Sequence, residues 1–261
     1  MLCNLSCPQQ EAVACLQKGR TVTCRTMSII SALKNSTVTP SVTRMTSGRI
    51  PTEHGDFQLV YYTNTLDNKE HLAFCMGDVS NCDDVLIRVH SECFTGDVMG
   101  SRRCDCGEQL QRSMAMVATE GRGVIVYLRQ EGRGIGLMAK LDAYNLQDQG
   151  YDTVDANLML GHKADAREYS LAACILDDLQ IRSVRVMTNN PLKISALQSE
   201  GVKVNSRVSL EAPVNADNEA YLLTKARRMD HLLPMQSFKP AVLTPVPAVF
   251  VRDVHDAQSA N

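Results

Sequence analysis

"GVIVYLRQEGRGIGLMAKLDAYNL", residues 123–146, decides how the chain is read. Its first six residues form a short apolar run of the kind buried on both faces of a sheet. A glycine-rich turn follows, and then Leu137, Leu141 and Tyr144 recur at helical spacing until a stop near Gly150. A buried strand feeding a helix is part of an α/β alternation, and the alternation continues downstream. A helix is predicted to start after Asp165, with Tyr169, Ala172, Ala173, Leu176 and Leu179 along one face. "SVRVMT" (183–188) reads as the next strand. Asn190 as N-cap and Pro191 at the first helical position open a short helix that Gly201 stops, and "VKVNSRV" is a further strand. Upstream, "DFQLVYY" (56–62), "EHLAFCM" (70–76) and "DVLIRVH" (84–90) are β-prone runs between turn formers. Leu110, Met114, Val117 and Ala118 mark a helix that ends at Gly121. The expected fold class is α/β, a mixed sheet with flanking helices.

The 261 residues are 44% hydrophobic and 21% charged, ordinary for a globular chain able to bury a core. A formal net charge of −2 argues against nonspecific nucleic-acid binding and against an anionic membrane surface as partner. Any anion must be bound locally. The longest apolar runs fall far short of the roughly 20 residues that a membrane span requires. Ten cysteines with no signal-peptide segment point to a reducing compartment, and the cytoplasm is expected. The start of the chain keeps an alternative open. Residues 1–50 hold one acid, Glu11, against six Lys or Arg and thirteen Ser or Thr, a composition that also fits an organelle transit peptide. Residues 1–43 therefore read as an N-terminal extension, disordered or targeting. Pro234, Pro240, Pro245 and Pro247 make 234–261 an extended tail.

"RVHSECFTGDVMGSRRCDCGEQL" (88–110) brings together Cys93, Cys104 and Cys106. Three thiolates are one short of the closed tetrahedral set of structural zinc, whereas catalytic zinc keeps three protein ligands and leaves a position for water. Zinc lowers the pKa of such a water from about 15.7 to roughly 7, which suits hydrolysis. Spacing alone leaves alternatives standing: buried hydrophobic cysteines, or a structural site completed by Cys82 or His90. "EGRGIG" is either an ordinary glycine turn or a place where backbone approaches an anion beside Arg133. Asp165 and Glu168 form a capping-box pattern, which sets Arg167 in a first helical turn where it opposes the macrodipole unless an anion is near. Lys193 raises the same question after Asn190, with a solvated surface lysine as the bland answer. Tyr144 defaults to core.

Five segments, "RVHSECFTGDVMGSRRCDCGEQL", "RQEGRGIGL", "YNLQDQGYDTVDAN", "DAREYS" and "TNNPLKI", resemble GTP cyclohydrolase II in order and spacing, over roughly 44–233. The resemblance implies a catalytic domain of that fold. It would open the imidazole ring of GTP in the first step of riboflavin synthesis, releasing formate and diphosphate. It implies one Zn²⁺ per subunit on Cys93, Cys104 and Cys106, with water as fourth ligand, and Mg²⁺ with the substrate. It implies nucleotide contacts from Arg88, Val89, His90, Ser91, Glu92, Gln109, Glu131, Gly132, Arg133, Thr153, Thr188 and Lys193. Asp165 matches the family's proton acceptor and Arg167 its nucleophile, although a protonated guanidinium has no lone pair and suits charge stabilisation better. Tyr144 matches a tyrosine near the opened ring. Arg102 and Arg103 replace smaller residues before the second cysteine, and their charge is expected to face solvent or phosphate. Homodimers are implied, and the dihydroxybutanone phosphate synthase fused upstream in some members is not expected here. The other readings to separate are an enzyme that stops at the formamide or takes another purine nucleotide, and a zinc-stapled scaffold without catalysis.

Overall fold

In the computed structural model, which describes residues 21–23, 39–234 and 238, the chain first builds an antiparallel ladder. Its strands are β1 (Thr21–Thr23), β2 (Ser41–Thr52), β3 (Gly55–Asn64) and β4 (His71–Met76). A second set follows: β5 (Val85–Ser91), α1 (Phe94–Asp97), α2 (Cys106–Glu120) and β6 (Gly123–Leu128). A single 3₁₀ turn at Glu131–Gly134 leads into α3 (Leu137–Asp148), α4 (Thr153–Met159) and α5 (Ser170–Asp178). The chain then forms β7 (Val184–Met187), α6 (Pro191–Ser199), β8 (Val204–Val208) and α7 (Glu219–Arg228).

All eight strands join one mixed sheet in the order β1-β2-β3-β4-β6-β5-β7-β8. The β4–β6 pair is antiparallel, and β6, β5, β7 and β8 run parallel. The central strands are apolar almost throughout because they are covered on both faces. On one face Leu110, Met114 and Val117 of α2 pack with Phe57, Leu86, Ile125 and Met187. On the other, Leu171, Ala172, Ile175 and Leu176 of α5 pack with Ile87, Val124, Val126 and Val184. The chain leaves β5 toward β6 and leaves the adjacent β7 toward β8, in opposite directions. The carboxyl ends of β5 and β7 therefore flank a topological switch point, where open α/β sheets form a crevice.

Two expectations change. The helix after Asp165 begins only at Ser170, with Tyr169 as its N-cap residue, so the capping-box reading of "DARE" fails. Asp165 Oδ1 instead accepts from the Arg167 backbone N–H at 3.0 Å within an ordered loop, and Arg167 precedes the helix rather than opposing its dipole. At the other end, β2 begins at Ser41 and gains β1 as a partner, so residues 21–23 and 41–43, read with the extension, belong to the sheet. The rest of 1–38, and 235–261 apart from residue 238, lie outside the described residues.

Candidate functional site

The loop between β5 and α2 folds the three cysteines onto one another. Their sulfurs all lie within 4.8 Å of each other, with Cys93 Sγ 3.7 Å from Cys104 Sγ. Two glycines make this possible. A Cβ on Gly96 would stand 3.0 Å from Cys104 Sγ, and one on Gly107 only 2.2 Å from the Gly96 carbonyl oxygen. Asp97 holds the loop from beneath: its carboxylate accepts from the Cys93 N–H at 2.9 Å, from Tyr127 Oη at 2.9 Å and from His90 Nε2 at 3.1 Å. His90 is thereby engaged, and Cys82 accepts from Arg122 Nη1 at 3.4 Å, so neither completes the trio as a fourth ligand. Hydrogen bonds from the Cys104 and Cys106 thiols draw Cys93 far below its ordinary pKa, and its bonds to both neighbours push Cys106 well above. Sulfurs this close repel one another as thiolates unless a cation joins them. A soft dication is what such a donor set fits.

One wall of the trio continues into a second chamber. The cysteines edge a cleft of about 620 Å³ that Glu131, Gly132, Arg133, Tyr144 and Thr153 also line. An adjoining cleft of about 570 Å³ is edged by Arg88, Arg133, Arg167, Lys193 and Lys225. Ser91, Cys106, Arg133, Arg167 and Tyr221 border both. The cationic chamber sits at the β5/β7 switch point, as the sheet topology requires. Lys193 is only 3% exposed, which rules out the surface-lysine reading, and its Nζ donates to the Val89 carbonyl at 2.6 Å. Burial, and then the charges of Arg88, Arg167 and Lys225, hold its pKa well below the ordinary lysine value. An anion here would relieve that strain. Burial works against the Arg167 charge too, but Tyr169 and Asp165 outweigh it and keep the guanidinium firmly protonated.

The remaining sequence-named residues fall around these two chambers in different ways. His90, Ser91, Gln109 and Thr188 edge the cationic chamber, while Glu92 edges the cysteine side. Val89 and Asp165 line neither chamber: the Val89 side chain lies in the core with α5 and its carbonyl is held by Lys193, and Asp165 is paired with Arg167. Arg88 Nη2 donates to Gln109 Oε1 at 2.5 Å and Nη1 to the Met187 carbonyl at 2.9 Å. Gly132 (φ +61), Gly134 (φ +93) and Arg133 (φ +61) all take left-handed backbone, so the "EGRG" loop is tightly wound and not a simple turn. Tyr144 borders the cysteine cleft instead of joining the core, with the Arg103 guanidinium 4.5 Å from its ring centroid. Arg102 and Arg103 face neither chamber's cations. They pair with Asp217 at 3.3 Å and Asp148 at 2.7 Å.

Several site residues carry no sequence signal read above. Asp105, between the second and third cysteines and 2% exposed, receives Lys225 Nζ at 2.8 Å and Gln109 Nε2 at 2.6 Å. Lys225 and Tyr221 come from α7, more than a hundred residues away. Asp97 and Lys140 were equally unmarked, although Lys140 stands four residues before Tyr144 and so on the same helical face.

A family model for GTP cyclohydrolase II matches residues 43–209. Among curated proteins, the riboflavin biosynthesis protein RibBA of Bacillus cereus (strain B4264) is 52% identical over 192 residues, covering 74% of this chain and 48% of that protein. RibBA of Mycobacteroides abscessus is 56% identical over 195 residues, covering 73% and 47%. The chain thus spans about half the length of the curated relatives it matches. The solved structure of RibBX, a two-domain 3,4-dihydroxy-2-butanone 4-phosphate synthase from A. baumannii, aligns with a TM-score of 0.38 at 21% identity. It covers 67% of this chain and 41% of that one, a likeness too slight to speak for this fold. With a family model spanning well over half its length and relatives above 50% identity, the chain belongs to the GTP cyclohydrolase II family.

Proposed function

We propose that the chain hydrolyses GTP, opening the imidazole ring to give 2,5-diamino-6-(5-phospho-ribosylamino)pyrimidin-4(3H)-one, formate and diphosphate, as the first step of riboflavin biosynthesis. The observation that carries this reading is the shared wall. A soft-metal donor set and a cluster of buried cations open onto each other through Ser91, Cys106, Arg133, Arg167 and Tyr221. A purine nucleoside triphosphate has a base for one chamber and phosphates for the other. Cys93, Cys104 and Cys106 would hold one Zn²⁺ per subunit. When bound, zinc supplies Lewis acidity and a nucleophilic water at neutral pH.

The protein's own groups do the rest. Arg133, Arg167 and Lys193, with Mg²⁺ carried by the substrate, neutralise the phosphates. Arg88, held by Gln109, sets the positive potential behind them. Ser91, Glu92, Glu131, Gly132, Thr153 and Thr188 border the two chambers and orient the nucleotide, and the backbone of Val89 and the ring of His90 support them from below. Asp165 accepts a proton, Tyr144 stands beside the ring that opens, and Arg167 stabilises charge on the phosphoryl group as diphosphate leaves. The exposed apolar side chains Val98 and Met99 beside α1, Met138 and Leu141 on α3, and Leu158 and Met159 on α4 support assembly as a homodimer. A cytoplasmic location accords with six cysteines among the described residues that form no disulfide.

Purified protein incubated with GTP, Mg²⁺ and Zn²⁺ should release formate and diphosphate, with a product mass that lacks the formyl carbon. Retention of that carbon would point to an enzyme stopping at the formamide. Release of neither product, with zinc occupancy confirmed, would remove the reading.

A further inference from the structure

Lys140 lies on α3 with 8% of its surface exposed, in surroundings unusual for a lysine. Its Nζ donates to Cys93 Sγ at 3.2 Å and to Glu131 Oε1 at 2.8 Å, and stands 5.7 Å from the Tyr144 ring centroid. The stem is packed as well: a Cβ on Gly132 would meet Lys140 Cβ at 3.2 Å. Glu131 in turn accepts from the Phe94 N–H at 2.6 Å, one residue beyond Cys93. The ammonium is therefore fixed between one sulfur of the trio and the loop that carries Glu131 to Gly134.

This placement answers a chemical difficulty of the trio. Three thiolates give a dication more charge than it brings and leave the set at a net −1, which blunts the electrophilicity a hydrolytic metal needs. Sulfur-rich sets accordingly tend to hold structural metal. An N–H donor on a ligating sulfur withdraws part of that charge, as partners beyond the ligands commonly do. We infer that Lys140 is a positioning residue that acts through Cys93: it draws electron density off this one thiolate, keeps a metal held by the trio electrophilic, and ties that sulfur to the nucleotide loop through Glu131. The inference rests on the metal reading proposed above. A lysine that served only to pair with Glu131 would leave the sulfur's electronic character untouched.

The test reads the sulfur itself. Protein stripped of metal and reloaded with Co²⁺ should show thiolate-to-Co²⁺ charge-transfer absorption in the near ultraviolet. In Lys140→Met that band should move to longer wavelength, because the sulfur donates more freely. In Lys140→Arg it should return toward the wild-type position. Glu131→Gln, whose neutral amide oxygen holds the ammonium more weakly than the carboxylate and so leaves more of it to the sulfur, should move it the other way. Turnover of zinc-loaded Lys140→Met should fall roughly 10- to 100-fold, the usual effect of losing such a partner. A Co²⁺-loaded Lys140→Met with an unmoved band overturns the inference. Should that variant fail to fold or to hold Co²⁺, an unmoved band in Glu131→Gln does the same. Absence of any charge-transfer band in the wild type would instead sink the metal reading, and this inference with it.

Discussion

Arg167 is the residue whose role the structure alters most. From sequence it belongs to a helical first turn, where its charge needs an anion to explain it. In the fold it precedes α5 and is explained locally, since its Nε donates to Asp165 Oδ1 at 2.9 Å and its Nη2 to Asp165 Oδ2. Sequence could not show this, because four residues that suit a capping box suit an ordered loop equally well, and in the fold the helix starts only at Ser170. What survives is the chemistry. The guanidinium is 13% exposed, stays protonated beside Asp165 and Tyr169, and borders both chambers. It has no lone pair with which to attack phosphorus, but its planar fork suits a phosphate gaining charge. Lysine at this position would keep a charge and lose the fork. Arg167→Lys should therefore lower turnover by roughly 10²- to 10³-fold, and intact-protein mass spectrometry under GTP should find no nucleotidyl adduct. Near-normal turnover or a covalent adduct in the variant would overturn the charge-stabilising role.

Legibility among the elements follows how each one is stabilised. The central strands, α2 and α6 were readable because a single physical demand shaped each: burial on both faces for "GVIVYL", one apolar stripe for Leu110–Met114–Val117, and a capping residue plus proline for α6. β2 was not, because past Val42 it is half-exposed or fully exposed, so no alternation is imposed, and Gly48 and Pro51 look like loop residues. α4 rests on an Asp152 cap that accepts from Val154 N and Asp155 N, a signal hidden in a polar run. α7 is hidden for a different reason: its apolar residues Tyr221, Leu222 and Leu223 stand in succession rather than at helical spacing, and the helix is docked in part by the buried pair of Lys225 with Asp105, beside the Arg228 pairs with Asp152 and Asp155. Burial opposes the Asp105 charge, but Lys225 and then Arg88 hold its pKa below the ordinary carboxylate value. A pair of this kind is legible only in three dimensions. Its energetics are asymmetric, since removing one partner strands a buried charge at a cost of about 3–5 kcal/mol. Lys225→Met should lose that much stability in urea unfolding, and Asp105→Asn in the same chain should recover much of it. A loss below about 1 kcal/mol, within the range of an exposed pair, would mean that α7 is held by something else.

At the scale of the molecule, charge is distributed in a way that composition conceals. The chain carries a formal −2, a number that gives no hint that Arg88, Arg133, Arg167, Lys193 and Lys225 converge on one chamber. Their convergence follows from topology. Arg88 and Lys193 come from the two sides of the switch point, Arg133 and Arg167 from the loops after β6 and before α5, and Lys225 from α7. The family resemblance located four of these by motif, and nothing in local sequence located the fifth. A polyanionic substrate approaching this protein thus meets a weakly repulsive whole and a strongly attractive cleft, so attraction works only at short range. Salt should weaken it as the Debye length shrinks from about 10 Å at 0.1 M toward 3 Å at 1 M. Once seated among buried cations, the phosphates are far less exposed to screening. The two stages should separate in kinetics: between about 50 and 500 mM KCl, at fixed Mg²⁺, KM for GTP should rise about tenfold while kcat changes little. A KM flat across that range would mean that the buried cations serve the fold and not the nucleotide. A parallel fall in kcat would mean that the seated phosphates remain open to solvent ions, contrary to the enclosure of Lys193 and Arg88.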